Sequence, residues 1–347
     1  MPTTETCSVK AQHTWQKPWT SPWILPKTQA SPFTPEKKSK GWSPSRVGRE
    51  ALAATLKVNN QPVEIILHDR TLGVELSFTR KRCPSRQDKQ QSSCSTICNR
   101  ISCLGLGLEQ KAHLVSAVVI AKGLYGCVSD RPSKGSLQTL RRRVAGTVWG
   151  AGHGERAPEI LFTLLRAGHR TDPLQACAYL SIVQTRRLLL RRPELSPLFS
   201  EVWNLREMNE SNVPHGPVIA FRMAAKDAGW TQTSPFAFDR PQGLAPLNLE
   251  CQDSGFFEHE VRDALRLQQF RALATRRPDF RGIEDGVERK VTLRAMSKAR
   301  GPWRARYRHM LTGSLTTRVR ERRKRRCSDD LCQSCDLQIP ETEEHLL

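Results

Sequence analysis

The sequence has few acidic residues for its length, with 34 Asp and Glu against 55 Lys and Arg, so its formal net charge is +21. This deficit of negative charge disfavours a cationic partner and favours a polyanion, for which nucleic acid is the default candidate. Arginine adds a specific reason, because its planar guanidinium contacts phosphate through two hydrogen bonds. The alternative is a basic surface that binds no partner.

Long hydrophobic runs are also missing. The longest, residues 114–124, contains Lys122 and is shorter than the ~20 apolar residues that cross a membrane. The N-terminal residues lack the hydrophobic stretch of a secretory signal, and the eleven cysteines follow no regular disulfide spacing. The sequence therefore predicts no membrane span, reduced thiols and a nuclear or cytoplasmic location.

Motifs that carry catalysis are absent as well. The chain has no Gly-x-Ser-x-Gly, no phosphate-binding loop and no His-Glu-x-x-His helix. Asp329 and Asp330 are adjacent, as in a two-metal polymerase, but no apolar strands flank them and no upstream strand offers another aspartate. His153 and His169 flank a predicted helix, where isolated histidines are usually caps or surface groups. We therefore predict no catalytic residue, no enzymatic activity and no Mg²⁺ site.

Apolar spacing predicts the fold class. Leu108 to Tyr125 is apolar on most faces and predicts a buried helix, while residues 137–148 carry apolar residues at helical spacing. Asp172-Pro173 is a cap followed by a proline, which is typical of a helix start. Short β-like segments fall only near residues 55–76. The expected fold is mainly α with this small β segment, an irregular helical body and a disordered N-terminus.

Proline content and charge divide the chain further. The first segment is rich in Pro and Trp, a composition that blocks helices and sheet ladders. The expected segments are a disordered leader over 1–50, strands and a helix over 51–130, basic helices over 131–200, a loop-rich helical region over 201–317, and a basic run with a metal motif over 318–347.

Basic residues cluster on the predicted helices. Three consecutive arginines follow Leu140 and are expected on the flank opposite the apolar face, and the densest charge run of the chain spans residues 318–326. Such clusters are typical of phosphate contacts, and a run of this kind is also read by nuclear import receptors. The predicted nucleic-acid-binding residues are Arg141, Arg142, Arg143, Arg186, Arg187, Arg322, Arg323, Lys324, Arg325 and Arg326.

The most specific local pattern is Cys332-x-x-Cys335 followed by His345. A Cys-x-x-Cys pair directs two thiolates to one ion, and a His about ten residues later is a usual third ligand. The sequence ends at Leu347 with no further donor, so we expect an incomplete zinc site. Cys327 is the nearby residue able to supply a fourth thiolate. The alternative is that the cysteines are unrelated thiols.

Taken in order, several short motifs resemble the C-terminal part of a non-LTR (LINE-type) retrotransposon reverse transcriptase. Leu72-Gly-Val74 is similar to the strand that follows the polymerase active-site hairpin, and Gly123-Leu-Tyr-Gly126 is similar to the end of the thumb helix. Segments within residues 143–190 resemble the helical connection, and the Cys332, Cys335 and His345 pattern resembles the zinc-binding segment that closes such proteins.

This resemblance implies a thumb and connection without a polymerase active site. The fingers and most of the palm, with the Mg²⁺-binding aspartates, would precede residue 51, where this chain has only the Trp/Pro leader. The implied function is a catalytically inactive, reverse-transcriptase-derived fragment that binds RNA, DNA or their hybrid. One alternative is a basic, nuclear protein-interaction module with a zinc stub and an import receptor as partner. The other is an unselected relic.

Overall fold

The chain forms two compact units, Met1–Arg82 and Cys83–Leu347. Most of the predicted leader and His153 lie outside the described residues. The computed structural model describes residues 40–43, 45–58, 61–71, 74–77, 84–150, 156–204, 216–232, 234–240, 245–300, 302–315, 317–333, 335, 337–342 and 345.

The first unit combines one helix with short strand pairs, so the predicted β segment is confirmed. Its elements are, in chain order, β1 (Lys40–Gly41), α1 (Arg46–Thr55), β2 (Lys57–Val58), β3 (Gln61–Pro62), β4 (Glu64–Ile65), β5 (His68–Thr71) and β6 (Val74–Ser77). Strands β2 and β3 are antiparallel, as are β5 and β6, while β1 pairs in parallel with β4. Ser45 caps α1 by accepting the amide of Gly48 at 2.9 Å.

The second unit is mainly helical. Its elements are, in chain order, α2 (Pro84–Ser102), α3 (Leu108–Leu114), a π-helix (Val115–Ile120), α4 (Ala121–Gly123), α5 (Lys134–Trp149), α6 (Pro158–Leu164), α7 (Gly168–Thr171), α8 (Pro173–Arg191), a 3₁₀ turn (Pro193–Leu195), α9 (Ser196–Asn204), α10 (Pro217–Asp227), β7 (Thr231–Gln232), β8 (Ala237–Asp239), β9 (Leu247–Asn248), α11 (Ser254–Arg276), a second 3₁₀ turn (Pro278–Phe280), α12 (Arg289–Lys298), α13 (Pro302–Leu311) and α14 (Arg318–Arg323). The expected mainly α fold is confirmed. None of the described helices combines the length and apolar character that a membrane crossing needs.

Local sequence signals explain several helix boundaries. Asp172 caps α8 by accepting the amide of Leu174 at 3.0 Å, and Pro173 occupies the first turn as predicted. Helix α6 begins with Pro158 in its first turn and ends at Leu164, and Gly168 begins α7. The chain passes so close to α6 here that a Cβ on residue 168 would lie 1.6 Å from the Phe162 carbonyl oxygen.

Three hydrophobic cores hold this unit together, and α8 contributes to two of them. The first packs α2, the π-helix and α5 around Val115 and Val144. The second packs the C-terminal part of α8 against α10, α11 and the β7–β8–β9 sheet, around Phe221 and Phe257. The third joins α6, α11 and α12 at Leu273. Because α8 contributes side chains to both the first and the second core, it packs against helices of both.

Candidate nucleic-acid interface and metal site

Arg141, predicted to face solvent, is buried, and this part of the prediction is wrong. Its guanidinium donates to Glu159 Oε1 at 2.9 Å, to Asp172 Oδ2 at 2.7 Å and to Gln269 Oε1 at 3.0 Å. Burial opposes its charge, but the two carboxylates outweigh burial and raise the pKa of Arg141. Arg141 therefore joins α5, α6, α8 and α11 and is not a surface phosphate contact.

Arg186 is a second predicted nucleic-acid contact that the structure buries. Only 1% of its surface is exposed, and it donates to the Leu249 carbonyl and to Ser254 Oγ, each at 3.1 Å. Its guanidinium also lies 4.8 Å from the centroid of the Phe257 ring. With a further bond to the Cys251 carbonyl, Arg186 connects α8 to the turn before α11 and to the first residue of that helix. It therefore cannot reach a phosphate.

A basic groove of about 900 Å³ opens between α5, the start of α6, the end of α11 and α14. Among the described residues, two acidic side chains, Glu159 and Asp279, line it together with eight basic ones, so the described lining carries net positive charge. The basic residues that line the groove are Arg141, Arg142, Arg156, Arg276, Arg277, Arg320, Arg323 and Lys324.

Two of the exposed cations of this groove are available for an anion. Arg142 and Arg323 are exposed and make no ion pair with any residue that the structure describes. Among the described residues, Arg156 donates to two backbone carbonyls, those of Trp149 and Gly150, each at 3.1 Å. Burial and the repulsion of nearby Arg308 lower the pKa of Arg156.

The structure places some of the predicted basic residues in the groove and others outside it. It brings Arg142, Arg323 and Lys324 into the groove, together with the buried Arg141. It also adds Arg156, Arg276 and Arg277, which the sequence analysis missed because they come from separate segments without a local charge run. The predicted residues that do not line the groove are Arg143, Arg186, Arg187, Arg322, Arg325 and Arg326.

The paired aspartates near the C-terminus are held by arginines. Asp329 accepts two hydrogen bonds from Arg318 Nη2, each at 2.9 Å, and Asp330 accepts one from Arg322 at 2.8 Å. The Arg318 guanidinium holds the pKa of Asp329 below its usual value. These carboxylates therefore act as partners of α14.

Cys332, Cys335 and His345 form a set that could hold a metal ion, as the sequence predicts. Their ligand atoms lie within 4.8 Å of one another, and Cys335 Sγ is 3.1 Å from His345 Nε2. Ligand bonds of about 2.0–2.3 Å place the donors of a tetrahedral ion about 3.3–3.8 Å apart, so small adjustments suffice. An antiparallel bridge between Leu331 and Pro340 brings the two halves of the motif together.

Cys327, predicted as the fourth ligand, does not belong to this set. Its thiol donates to the carbonyl of Asp329 at 3.0 Å and to that of Arg318 at 3.5 Å. The turn that follows α14 therefore directs this side chain back to the helix. The structure therefore does not place Cys327, the candidate fourth ligand, with the other three residues.

Helix α14 contacts the segment that carries the metal set and also lines the basic groove. The amide of Arg318, the first residue of α14, donates to Glu341 Oε1 at 3.0 Å, and Glu341 follows the bridge beside the metal set. The same helix ends at Arg323, which with Lys324 lines the groove. One short helix therefore connects the segment of the metal set with two cations of the groove.

Comparisons of the chain with protein-family models, curated proteins and solved structures found no match. The function must therefore be argued from the groove and the metal set themselves.

Titration of the full chain with Co²⁺ tests the metal set. We expect thiolate-to-Co²⁺ charge-transfer absorption, because two thiolates and an imidazole can bind one ion. Cys335→Ser should reduce this absorption and lower the affinity on the order of tenfold or more. Cys327→Ser is the matched control and should leave the spectrum unchanged. Loss of the absorption in Cys327→Ser would show that Cys327 is a metal ligand.

Proposed function

We propose that this chain binds nucleic acid by holding the phosphate backbone in its basic groove. The observation that carries the proposal is the convergence of eight basic side chains, from four separated parts of the chain, on one concave surface. A positively charged groove follows a nucleic-acid backbone, and guanidinium groups match phosphate geometry. The partner is RNA, DNA or their hybrid.

The groove favours binding with little sequence preference. No aromatic ring belongs to its lining in the described part of the chain, so the groove offers no surface on which bases stack. Phosphate contacts set position and affinity but do not read the base. The groove is therefore suited to binding the phosphate backbone of nucleic acids of different sequences.

We propose zinc as the ion of the C-terminal set. Two thiolates and an imidazole are soft and borderline ligands that suit zinc better than Mg²⁺ or Ca²⁺. A bound ion would hold the segment after α14 in place, and through Glu341 it would support the N-terminus of that helix. The role of the metal is thus structural, in support of the groove.

The chain, in this proposal, derives from a non-LTR retrotransposon reverse transcriptase and does not polymerise. The order of its short motifs supports the origin, while the engagement of Asp329 and Asp330 by arginines supports the lack of a two-metal centre. In the nuclear import alternative, a receptor would compete with Asp330 for Arg322 and with Glu321 for Arg326.

A salt titration tests the proposal. Four exposed cations line the described part of the groove, namely Arg142, Arg276, Arg323 and Lys324. A phosphate would compete with Glu159 for Arg276 and with Glu321 for Lys324, because these pairs are long, at 3.4 and 3.5 Å. About four phosphate contacts give a slope of log affinity against log salt between about −2.8 and −3.6. A rise from about 50 to 200 mM salt should then weaken binding of a labelled oligonucleotide about 50- to 150-fold. A slope near zero would leave the protein-interaction alternative ahead.

A further inference from the structure

A second cavity of the helical unit lies beside the basic groove. It has a volume of about 820 Å³ and lies between the start of α3, the ends of α5 and α6, α12 and α13. This volume falls within the range of small-molecule sites, which is about 300–1,000 Å³. The cavity is therefore large enough for one flat ring system such as a nucleic-acid base.

Apolar side chains form most of the described wall of this cavity. They include Leu106 and Leu108 at the start of α3, Trp149 at the end of α5 and Leu293 in α12. Each of these four residues is exposed or half-buried, so a ligand in the cavity can contact it. Covering such apolar surface with a flat ring removes it from water and favours binding.

Trp149 gives the cavity the aromatic ring that the described lining of the groove lacks. Its side chain packs against the first and third hydrophobic cores, and the Arg308 guanidinium lies 5.8 Å from the ring centroid. These contacts hold the ring in one position. Aromatic side chains contact the faces of bases without reading their identity, because every base has a π-face.

The cavity and the groove meet at Gly150, which lines both. Arg156, one of the groove cations, donates to the carbonyls of Trp149 and Gly150, each at 3.1 Å. A cation of the groove and the aromatic residue of the cavity are therefore attached to the same turn. A nucleotide whose phosphate lies in the groove near Arg156 can thus direct its base toward Trp149.

The charge of the cavity does not oppose an anionic strand. Its described lining holds two cations, Lys111 and Arg308, and one carboxylate, that of Glu109. The Glu109 carboxylate accepts the backbone amide of Arg166 at 3.1 Å. The described lining therefore carries net positive charge, which favours the phosphates of a strand that passes the rim.

We propose that an unpaired base of a single-stranded nucleic acid enters this cavity while the basic groove holds the neighbouring phosphates. The inference rests on the proposed nucleic-acid function and names single strands as the preferred substrate. In a duplex each base is stacked and paired, and taking one out of the stack costs free energy. A duplex therefore reaches the groove but not the cavity, and it gains nothing from the apolar wall.

Fluorescence anisotropy of the full chain with three labelled probes of equal length tests the inference. The probes are a mixed-sequence single strand, the same strand with every base replaced by an abasic site, and the duplex. We expect the single strand to bind about fivefold or more tightly than the abasic strand, the low end of what one stacked base contributes. Both strands carry the same phosphates, so their slopes of log affinity against log salt should agree.

The three probes separate this inference from the proposed function. Equal affinity for the single strand and its abasic analogue, or tighter binding of the duplex, would overturn the base cavity and leave the phosphate groove standing. Binding of none of the probes would contradict the groove as well. The comparison needs no variant and so does not depend on one that folds.

A variant then assigns the base to the cavity wall. Leu106→Ser removes apolar surface from the wall and should weaken the single strand about 2- to 5-fold while leaving the abasic strand unchanged. Leu104→Ser is the matched control, because Leu104 is also exposed but does not line the cavity. Neither leucine belongs to the three hydrophobic cores, so both variants should fold. Equal effects of Leu106→Ser on both strands, or equal effects of the two variants, would contradict the inference.

Discussion

Replacing Arg141 with methionine is expected to lower the free energy of unfolding by about 3–5 kcal/mol, the range for breaking a buried ion pair. The substitution keeps most of the volume of the side chain but leaves Asp172 without its cation and Glu159 with only the longer contact to Arg276, at 3.4 Å. Asp172 is fully buried, so water cannot replace the lost guanidinium. Urea unfolding followed by circular dichroism measures the change.

Two further variants distinguish the buried network from a general effect on α5. Arg142→Met alters the adjacent, exposed arginine and should change stability by less than about 0.5 kcal/mol. Adding Glu159→Gln and Asp172→Asn to Arg141→Met should recover part of the loss, because removing a whole buried charge network is less costly than removing one member. Equal stability of the Arg141→Met and Arg142→Met variants would contradict the buried role.

Removing three groove cations together is expected to weaken nucleic-acid binding on the order of 100-fold at about 0.1 M salt, because each lost phosphate contact forfeits the release of about 0.7–0.9 counterions. The variant is Arg142→Ala/Arg323→Ala/Lys324→Ala. The slope of log affinity against log salt should fall by about two to three. Fluorescence anisotropy of a labelled single strand and a labelled duplex at several salt concentrations gives both quantities.

The matched control removes the same number of positive charges from positions outside the groove. Arg143→Ala/Arg322→Ala/Arg326→Ala alters exposed positions on or just after the same two helices, none of which lines the groove. If general net charge governs binding, both triple variants weaken it equally and the groove is not the site. If the groove governs binding, the control keeps most of the affinity.

Local signals predicted much of the fold. The Asp172-Pro173 pair marked the start of α8 because both the cap and the proline act within one turn. Apolar spacing over residues 137–148 predicted the buried face of α5 for the same reason. The short β7–β8–β9 sheet was not predicted within the loop-rich region, because each strand has only two or three residues and its pairing is set by tertiary packing.

The prediction failed for the two buried arginines because it gave more weight to their charge than to their position on the helix. Arg141 is four residues after Leu137 and three before Val144, so helical geometry places it on the apolar face. Arg186 is likewise four residues after Ile182 and three before Leu189. The spacing was present in the sequence, but burial of arginine requires acceptors from distant segments, and no local pattern reveals them.

The basic groove could not be predicted for a related reason. Arg142, Arg156, Arg276 and Arg323 are separated by up to 120 residues between neighbours in this series, and only the packing of α6 and α11 against α5 brings them together. The metal set was predictable because Cys332 and Cys335 are close in sequence and a single short turn returns His345 to them. Cys327 is equally near in sequence, but the turn after α14 directs it elsewhere.

In the proposed function, the hydrogen bond between the Arg318 amide and Glu341 would make the metal ion and the nucleic acid mutual effectors. If the ion holds α14 in the position that presents Arg323 and Lys324, it tightens nucleic-acid binding by some factor. Thermodynamic reciprocity then requires nucleic acid to tighten metal binding by the same factor. A chain bound to nucleic acid would then retain its metal ion at free metal concentrations at which a chain without nucleic acid loses it.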